Sequence, residues 1–192
     1  MYCLICENLS WHHICKECQK NLLTPSLYKR VLPNGIVVYS FYRYDEIKPL
    51  LFTKHTELGK PIFTILANNS FKPFAHHFHS KQRYGCIALD DRVKKDGYSH
   101  TAILAHALKS YNLVPLYKKL QARNDITYSG KSKSFRQTHK RDFRYKKFSY
   151  KEVIVIDDII TTGATLLEAT QLLTKQGKEV AFCLTLCDAS LK

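Results

Sequence analysis

Long apolar runs, acidic side chains and a leader-like N-terminus are what this chain has little of. No stretch approaches the roughly 18–20 apolar residues that span a bilayer, so no transmembrane segment is expected. The opening Met1-Tyr2-Cys3-Leu4-Ile5-Cys6 has neither the basic flank nor the apolar centre of a secretory leader. A cytoplasmic location is therefore expected. Asp and Glu total 16 against 30 Lys and Arg, which leaves a net charge of +14 on 192 residues. A field of that sign argues against cationic partners and favours a polyanion such as nucleic acid or anionic lipid. No internal repeat stands out beyond a pair of cysteine knuckles.

The apolar share of 45% is enough for a real core. At this length the chain can hold one α/β domain of ordinary size plus a small metal module. Cys3, Cys6, Cys15 and Cys18 form two Cys-x-x-Cys knuckles separated by eight residues. Each knuckle can aim two thiolates at one tetrahedral zinc, and a site closed by four cysteines is structural, with no position open for catalysis. Few apolar residues lie between the knuckles, so metal binding would supply much of the folding energy of this segment. His12 and His13 are substitute ligands in principle, and a disulfide pair or a redox Cys-x-x-Cys is the alternative chemistry. Cys86, Cys183 and Cys187 sit in apolar runs and read as buried free thiols rather than nucleophiles.

Residues 153–166 read Val-Ile-Val-Ile-Asp-Asp-Ile-Ile-Thr-Thr-Gly-Ala-Thr-Leu. Four β-branched residues without polar alternation predict a strand covered on both faces of a parallel sheet. Asp157 and Asp158 then stand at its C-terminal end, the edge where open α/β sheets bind ligands. Thr161, Thr162, Gly163, Ala164 and Thr165 form the turn into a helix, whose unpaired N–H groups and dipole suit a phosphate. Glycine permits the close approach of backbone to anion, and the hydroxyls add hydrogen bonds. The carboxylates would repel that phosphate, so they are assigned to ribose hydroxyls or to magnesium bridging a pyrophosphate. An ordinary strand–turn–helix with an acidic turn is the bland alternative, and it does not require Asp-Asp and Thr-Thr-Gly together.

Positive charge concentrates between residues 118 and 151, where twelve Lys and Arg face only Asp125 and Asp142. Arg123, Lys131, Lys133, Arg136, Lys140, Arg141, Arg144, Lys146 and Lys147 interleave there with rings that include Phe143 and Tyr145. Cations neutralise phosphates while rings stack on unpaired bases, so these residues are the candidate contacts to single-stranded nucleic acid. A solvated surface segment whose rings fold back onto the core is the alternative.

Along the rest of the chain, residues 21–34 read as linker and turn, and 36–44 as a strand. Residues 45–68 predict two helices broken at Gly59-Lys60-Pro61, and 69–81 a polar loop with His76, His77 and His79. Residues 84–89 predict a strand ending at Asp90-Asp91, followed by a helix capped by Ser99 and a short strand over 113–117. After the basic segment and the strand–turn–helix comes a last strand over 180–187. Strands alternating with helices predict a mainly parallel sheet with helices on both faces. The division expected is 1–24 for the zinc module and 25–192 for the larger domain, with a mobile basic segment over 118–151.

The strand, acidic pair and Thr-Thr-Gly turn resemble the type I phosphoribosyltransferases. Together with Cys3, Cys6, Cys15, Cys18 and the Gly97-Tyr98-Ser99-His100 helix start, the chain resembles the ComF family of competence proteins. That resemblance implies a phosphoribosyltransferase-like α/β fold with structural zinc, phosphoribosyl pyrophosphate as ligand and magnesium beside it. It also implies handling of single-stranded DNA during natural transformation, with the DNA-uptake machinery at the inner face of the membrane as a partner. Relatives carry Val-Pro where Ala88-Leu89 stand and Arg-Gly-Phe-Asn-Gln where Asp96-Gly97-Tyr98-Ser99-His100 stand, so two landmarks are altered. Asp90 and Asp91 could therefore aid magnesium or repel the leaving group. No side chain stands out as a catalytic base. The alternatives are an active phosphoribosyltransferase for a base or amine, and an RNA-binding regulator that senses the sugar phosphate.

Overall fold

A computed structural model describes residues 1–93, 97–123 and 141–191. Its centre is a seven-stranded sheet: β1 Tyr28–Val31, β2 Val37–Arg43, β3 Tyr84–Leu89, β4 Leu113–Ala122, β5 Phe143–Tyr145, β6 Glu152–Ile160 and β7 Glu179–Asp188. In space the order is β1-β2-β7-β6-β3-β4-β5. The five inner strands run parallel, and β1 and β5 close the edges antiparallel.

The helices are α1 Lys16–Leu22, α2 Tyr44–Leu51, α3 Gly59–Asn69, α4 Phe71–His77, α5 His100–Ala107 and α6 Ala164–Lys175, with a 3₁₀ turn over Phe52–His55. One face of the sheet packs Cys86, Ala88, Ile154, Ile156 and Leu184 against the layer of α2 to α5. The other face packs Ile87, Leu89, Val153 and Val155 against Leu166, Ala169 and Leu173 of α6. Strand β6 is thus buried on both sides, the physical reason for its run of β-branched residues. From β3 the chain crosses through α5 to β4, while from β6 it crosses through α6 to β7 on the opposite side. The reversal makes the β3/β6 boundary a topological switch point, where the carboxyl ends of adjacent strands leave a crevice.

Four elements differ from the sequence expectation. The presumed linker contains β1, an edge strand with alternating exposure that pairs with β2. The presumed polar loop contains α4, whose Phe71, Phe74, Ala75 and Phe78 make a helical stripe against the core while His76 and His77 stay exposed. Phe71 lies 4.7 Å from Phe41 between ring centroids, and Phe74 stacks on Phe78. The histidines masked that stripe in the sequence. Strand β4 runs past residue 117 because it bulges at Lys118, which has φ 56°, as its register with β3 moves from Ile87↔Leu116 to Leu89↔Leu120. The phosphate-motif strand also continues through both carboxylates, with Asp157 paired to Thr185 and Ile160 to Asp188 of β7.

Ser99 caps α5 as expected, its hydroxyl accepting the Ala102 N–H at 3.2 Å. Gly177 ends α6, where the Gly177 and Lys178 N–H groups bond back to the carbonyls of Thr174 and Leu173. Cys86, Cys183 and Cys187 are fully buried, and burial pushes their thiols up, that of Cys86 to about 12. Among the described residues no helix is long and apolar enough to cross a membrane.

Candidate functional site

At the carboxyl end of β6 two adjacent carboxylates experience opposite environments. Asp158 is buried, and burial alone would raise its pKa. The Lys54 ammonium, which donates to Asp158 Oδ2, and the nearby His100 outweigh the burial and hold Asp158 below the usual carboxylate range. Asp157 is half-buried, and the Lys54 charge acts on it only weakly against the burial. Burial, then the neighbouring Asp158 charge, pushes it up to about 8. The surroundings thus favour the charged form of Asp158 and the protonated form of Asp157. Backbone bonds hold the pair in place: Asp158 N–H donates to Asp157 Oδ1 and Ile159 N–H to Asp158 Oδ1, each at 2.9 Å.

Lys54 comes from the 3₁₀ turn, 104 residues before its partner. Tyr98 fixes it by donating its hydroxyl to the Lys54 carbonyl. The contact depends on Gly59: a Cβ there would stand 1.9 Å from the Tyr98 hydroxyl and 2.6 Å from the Thr53 carbonyl. Lys54 and its supports carried no sequence signal, because an isolated lysine in a mixed segment looks like any surface charge.

The Thr-Thr-Gly turn follows directly. Gly163 stands immediately before α6 with φ 81°, and a Cβ there would meet Leu32 Cδ2 at 2.9 Å, so the position demands glycine. Thr162 Oγ1 accepts the Ala164 N–H at 3.3 Å, and Thr161, Thr162 and Thr165 are partly exposed around the mouth of the helix. The first N–H groups of any helix lack intrahelical acceptors, which makes this end receptive to an anion. From the edge strand, Arg30 donates to the Thr161 carbonyl at 2.8 Å and the Thr162 carbonyl at 3.4 Å, while pairing with Asp188 at 3.3 Å. Arg30 thus pins the turn from behind, a role concealed by its place in an apparent linker.

Asp90 and Asp91, at the end of β3, serve internal bonds. Asp90, with φ 44°, pairs with Arg92 at 2.7 Å and Arg141 at 3.5 Å, and accepts the Ala122 N–H. Asp91 is buried, and it accepts at 2.6 Å the Lys118 N–H at the β4 bulge. Burial pushes Asp91 up from the ordinary carboxylate value. These carboxylates stabilise the bulge and the β5 flank.

The N-terminal thiols also converge. The four sulfur atoms of Cys3, Cys6, Cys15 and Cys18 lie within 4.8 Å of one another, with Cys6 and Cys15 3.7 Å apart. A tetrahedron with zinc–sulfur bonds of about 2.3 Å has edges of about 3.8 Å, so the spacing fits a four-thiolate ion. The first knuckle turns at Glu7, with φ 59°, and is closed by the Tyr2↔Leu9 bridge; Cys15 caps α1. Burial acts to raise the Cys3 thiol, but hydrogen bonds from backbone N–H groups at Cys6, Cys15 and Ile5 outweigh it and lower it to about 6. Cys3, Ile14, Cys18 and Leu23 belong to the same core cluster as the α2–α5 layer. His12 and His13 are not part of the sulfur group.

Of the expected nucleic-acid contacts, Lys131, Lys133, Arg136 and Lys140 lie outside the described residues. Arg123, Arg144, Lys146 and Lys147 are exposed beside β4 and β5. Arg141 is tied to Asp90 through its guanidinium, and the Arg141 and Asp142 N–H groups clasp the Glu168 carboxylate at 2.9 and 2.8 Å. Phe143 is buried in the core, and Tyr145 packs on Phe148, so these two rings serve folding.

Residues 96–191, half of the chain, match the phosphoribosyl transferase domain family. Competence protein F of Haemophilus influenzae is 33% identical over 95 residues, a stretch that takes in 46% of this chain and 42% of that protein. The matched region thus spans less than half of the relative. Among solved structures, orotate phosphoribosyltransferase of Mycobacterium tuberculosis H37Rv in complex with Fe(III) dicitrate aligns with a TM-score of 0.44 at 15% identity, covering 91% of this chain and 84% of that one. Leishmania donovani UMP synthase aligns with a TM-score of 0.40 at 16% identity, over 90% and 31% of the two chains. An acidic pair and a Thr-Thr-Gly turn at the switch point of a mainly parallel sheet accompany the family match, and the chain belongs to the phosphoribosyl transferase domain family, with Competence protein F as a homologue.

Proposed function

We propose that this chain is a ComF-type competence protein that binds phosphoribosyl pyrophosphate with magnesium and engages single-stranded DNA during uptake. The observation that supports it best is the juxtaposition of Asp157 and the Lys54-paired Asp158 with the Thr161–Thr165 turn at one strand end. In this reading the turn takes the sugar 5-phosphate, and Asp157 and Asp158 accept the ribose hydroxyls or hold magnesium beside the pyrophosphate. Magnesium would neutralise pyrophosphate oxygens. Lys54 keeps Asp158 ionised before any ligand arrives, and Arg30 holds the turn in its anion-receptive shape. Cys3, Cys6, Cys15 and Cys18 hold a structural zinc that fastens residues 1–24 to the larger unit. The protein acts in the cytoplasm, with the DNA-uptake machinery at the inner face of the membrane as its partner.

Calorimetric titration of the zinc-loaded protein with magnesium and phosphoribosyl pyrophosphate, repeated with a single-stranded oligonucleotide present, tests the reading. Saturable binding whose affinity the oligonucleotide changes supports two linked sites. Absence of sugar-phosphate heat at millimolar ligand removes the assignment of Asp157 to Thr165.

A further inference from the structure

Six described cations, Arg30, Lys54, Arg92, Arg123, Arg141 and Lys151, are paired with carboxylates. Lys60, Lys72 and Lys109 are exposed, and among the described residues none has an ion-pair partner. All three line one groove between α3, α4 and α5.

The groove consists of two adjoining cavities of about 440 and 420 Å³ that share Asn68, His106 and Ala107. Small residues on the facing helices, Ala67, Ala102 and Ala107, leave the trough open. Lys72, His76 and Lys109 line one cavity; Lys60, Tyr98 and Tyr117 line the other. Among the described residues no Asp or Glu lines either. An elongated trough whose described charged groups are all positive suits a ligand with charge repeated along its length. Tyr117 is 39% exposed and its hydroxyl lies 3.3 Å from His106 Nδ1, so the ring is anchored at one end with a face available for stacking. Lys118 and Lys119 follow it in β4, toward the exposed Lys146 and Lys147 flank.

We infer that this groove holds the sugar–phosphate backbone of single-stranded nucleic acid. Lys60, Lys72 and Lys109 neutralise successive phosphates, and Tyr117 stacks on a base. The inference rests on the single-strand reading above and gives the strand a path along the helical layer. That path ends beside the sugar-phosphate site, because Tyr98 both lines the groove and bonds to the Lys54 carbonyl behind Asp158.

The test is fluorescence anisotropy of a labelled oligothymidylate against salt, comparing the wild type with Lys60→Glu, Lys72→Glu and Lys109→Glu combined. All three sites are exposed, and unchanged melting temperature, zinc content and oligonucleotide-free sugar-phosphate affinity establish that the variant is folded. The expected result is at least a tenfold loss of affinity near 0.1 M salt and a salt slope shallower by about 2, at roughly 0.7 per phosphate contact on a single strand. Tyr117→Ala should weaken binding without changing the slope. A folded triple variant with wild-type affinity and slope overturns the groove while leaving single-strand binding by the protein intact. A wild type that does not bind the oligonucleotide overturns both.

Discussion

The cysteine cluster and the carboxylate pair with its turn are both candidate ligand sets, yet they are assembled by opposite routes. All four sulfurs come from residues 3–18, brought together by two short knuckles and one capped helix. The phosphate site draws on a 3₁₀ turn, an edge strand, the end of β6 and the start of α6, with partners separated by 104 to 158 residues. A local set needs only its ion to organise it, whereas the dispersed set is held by the sheet before any ligand arrives. The first should therefore fail by loss of metal and structure together. The second should lose binding while the protein stays folded.

The largest expected effect is at the local set. Cys15→Ser should abolish zinc retention and destabilise the N-terminal segment by several kcal/mol, since metal binding and folding are coupled there. Because Cys3, Ile14, Cys18 and Leu23 share a core with the α2–α5 layer, the loss should also lower the melting temperature of the whole protein. Metal analysis alongside thermal unfolding checks this, and one equivalent of zinc in the variant would overturn the four-thiolate assignment. At the dispersed set, Asp157→Asn with Asp158→Asn should eliminate measurable sugar-phosphate heat in calorimetry while zinc content stays at the wild-type value. Unchanged affinity would refute the carboxylate role.

Smaller changes sharpen the comparison. Tyr98→Phe removes the bond that steadies Lys54, and a net hydrogen-bond contribution of about 0.5–1.5 kcal/mol corresponds to roughly a two- to tenfold loss of sugar-phosphate affinity. Wild-type affinity in that variant would show that Lys54 is held by other contacts. A further difference concerns stability against pH. Asp157 has a folded pKa near 8 against an ordinary value of 3.8, so the stability from its protonated form is complete below 3.8 and lost as pH rises toward 8. Asp158 behaves in the opposite sense, contributing above the ordinary carboxylate range and losing that contribution as pH falls through its depressed folded value. Asp157→Asn should therefore gain melting temperature over the wild type at pH 8.5 and lose that advantage by pH 4. A difference independent of pH would mean that Asp157 is ionised throughout.

Close spacing made both ligand sets legible in part. The knuckles were complete in sequence because their ligands are neighbours along the chain. Asp157, Asp158 and the Thr-Thr-Gly turn were equally visible because a covered parallel strand must be apolar and must end where its ligand edge begins. Their supports were hidden. Lys54 and Arg30 matter through partners more than a hundred residues away, and no local pattern separates a pinned cation from a solvated one. Helix α4 was concealed by histidines on the outer side of a phenylalanine stripe, and β1 by prolines and polar residues around a short edge strand.

The sequence by itself determined the main alternation of strands and helices, the cysteine group and the place of the acidic pair beside the Thr-Thr-Gly turn, since each follows from periodicity or short spacing that local geometry converts directly into structure. Only the tertiary structure decided which of two adjacent aspartates pairs with Lys54, that Asp90 and Asp91 serve a β-bulge, and which exposed lysines share a groove. Those outcomes depend on distances between segments remote in the chain. Such distances are set by packing against the sheet and carry no signature in the order of residues.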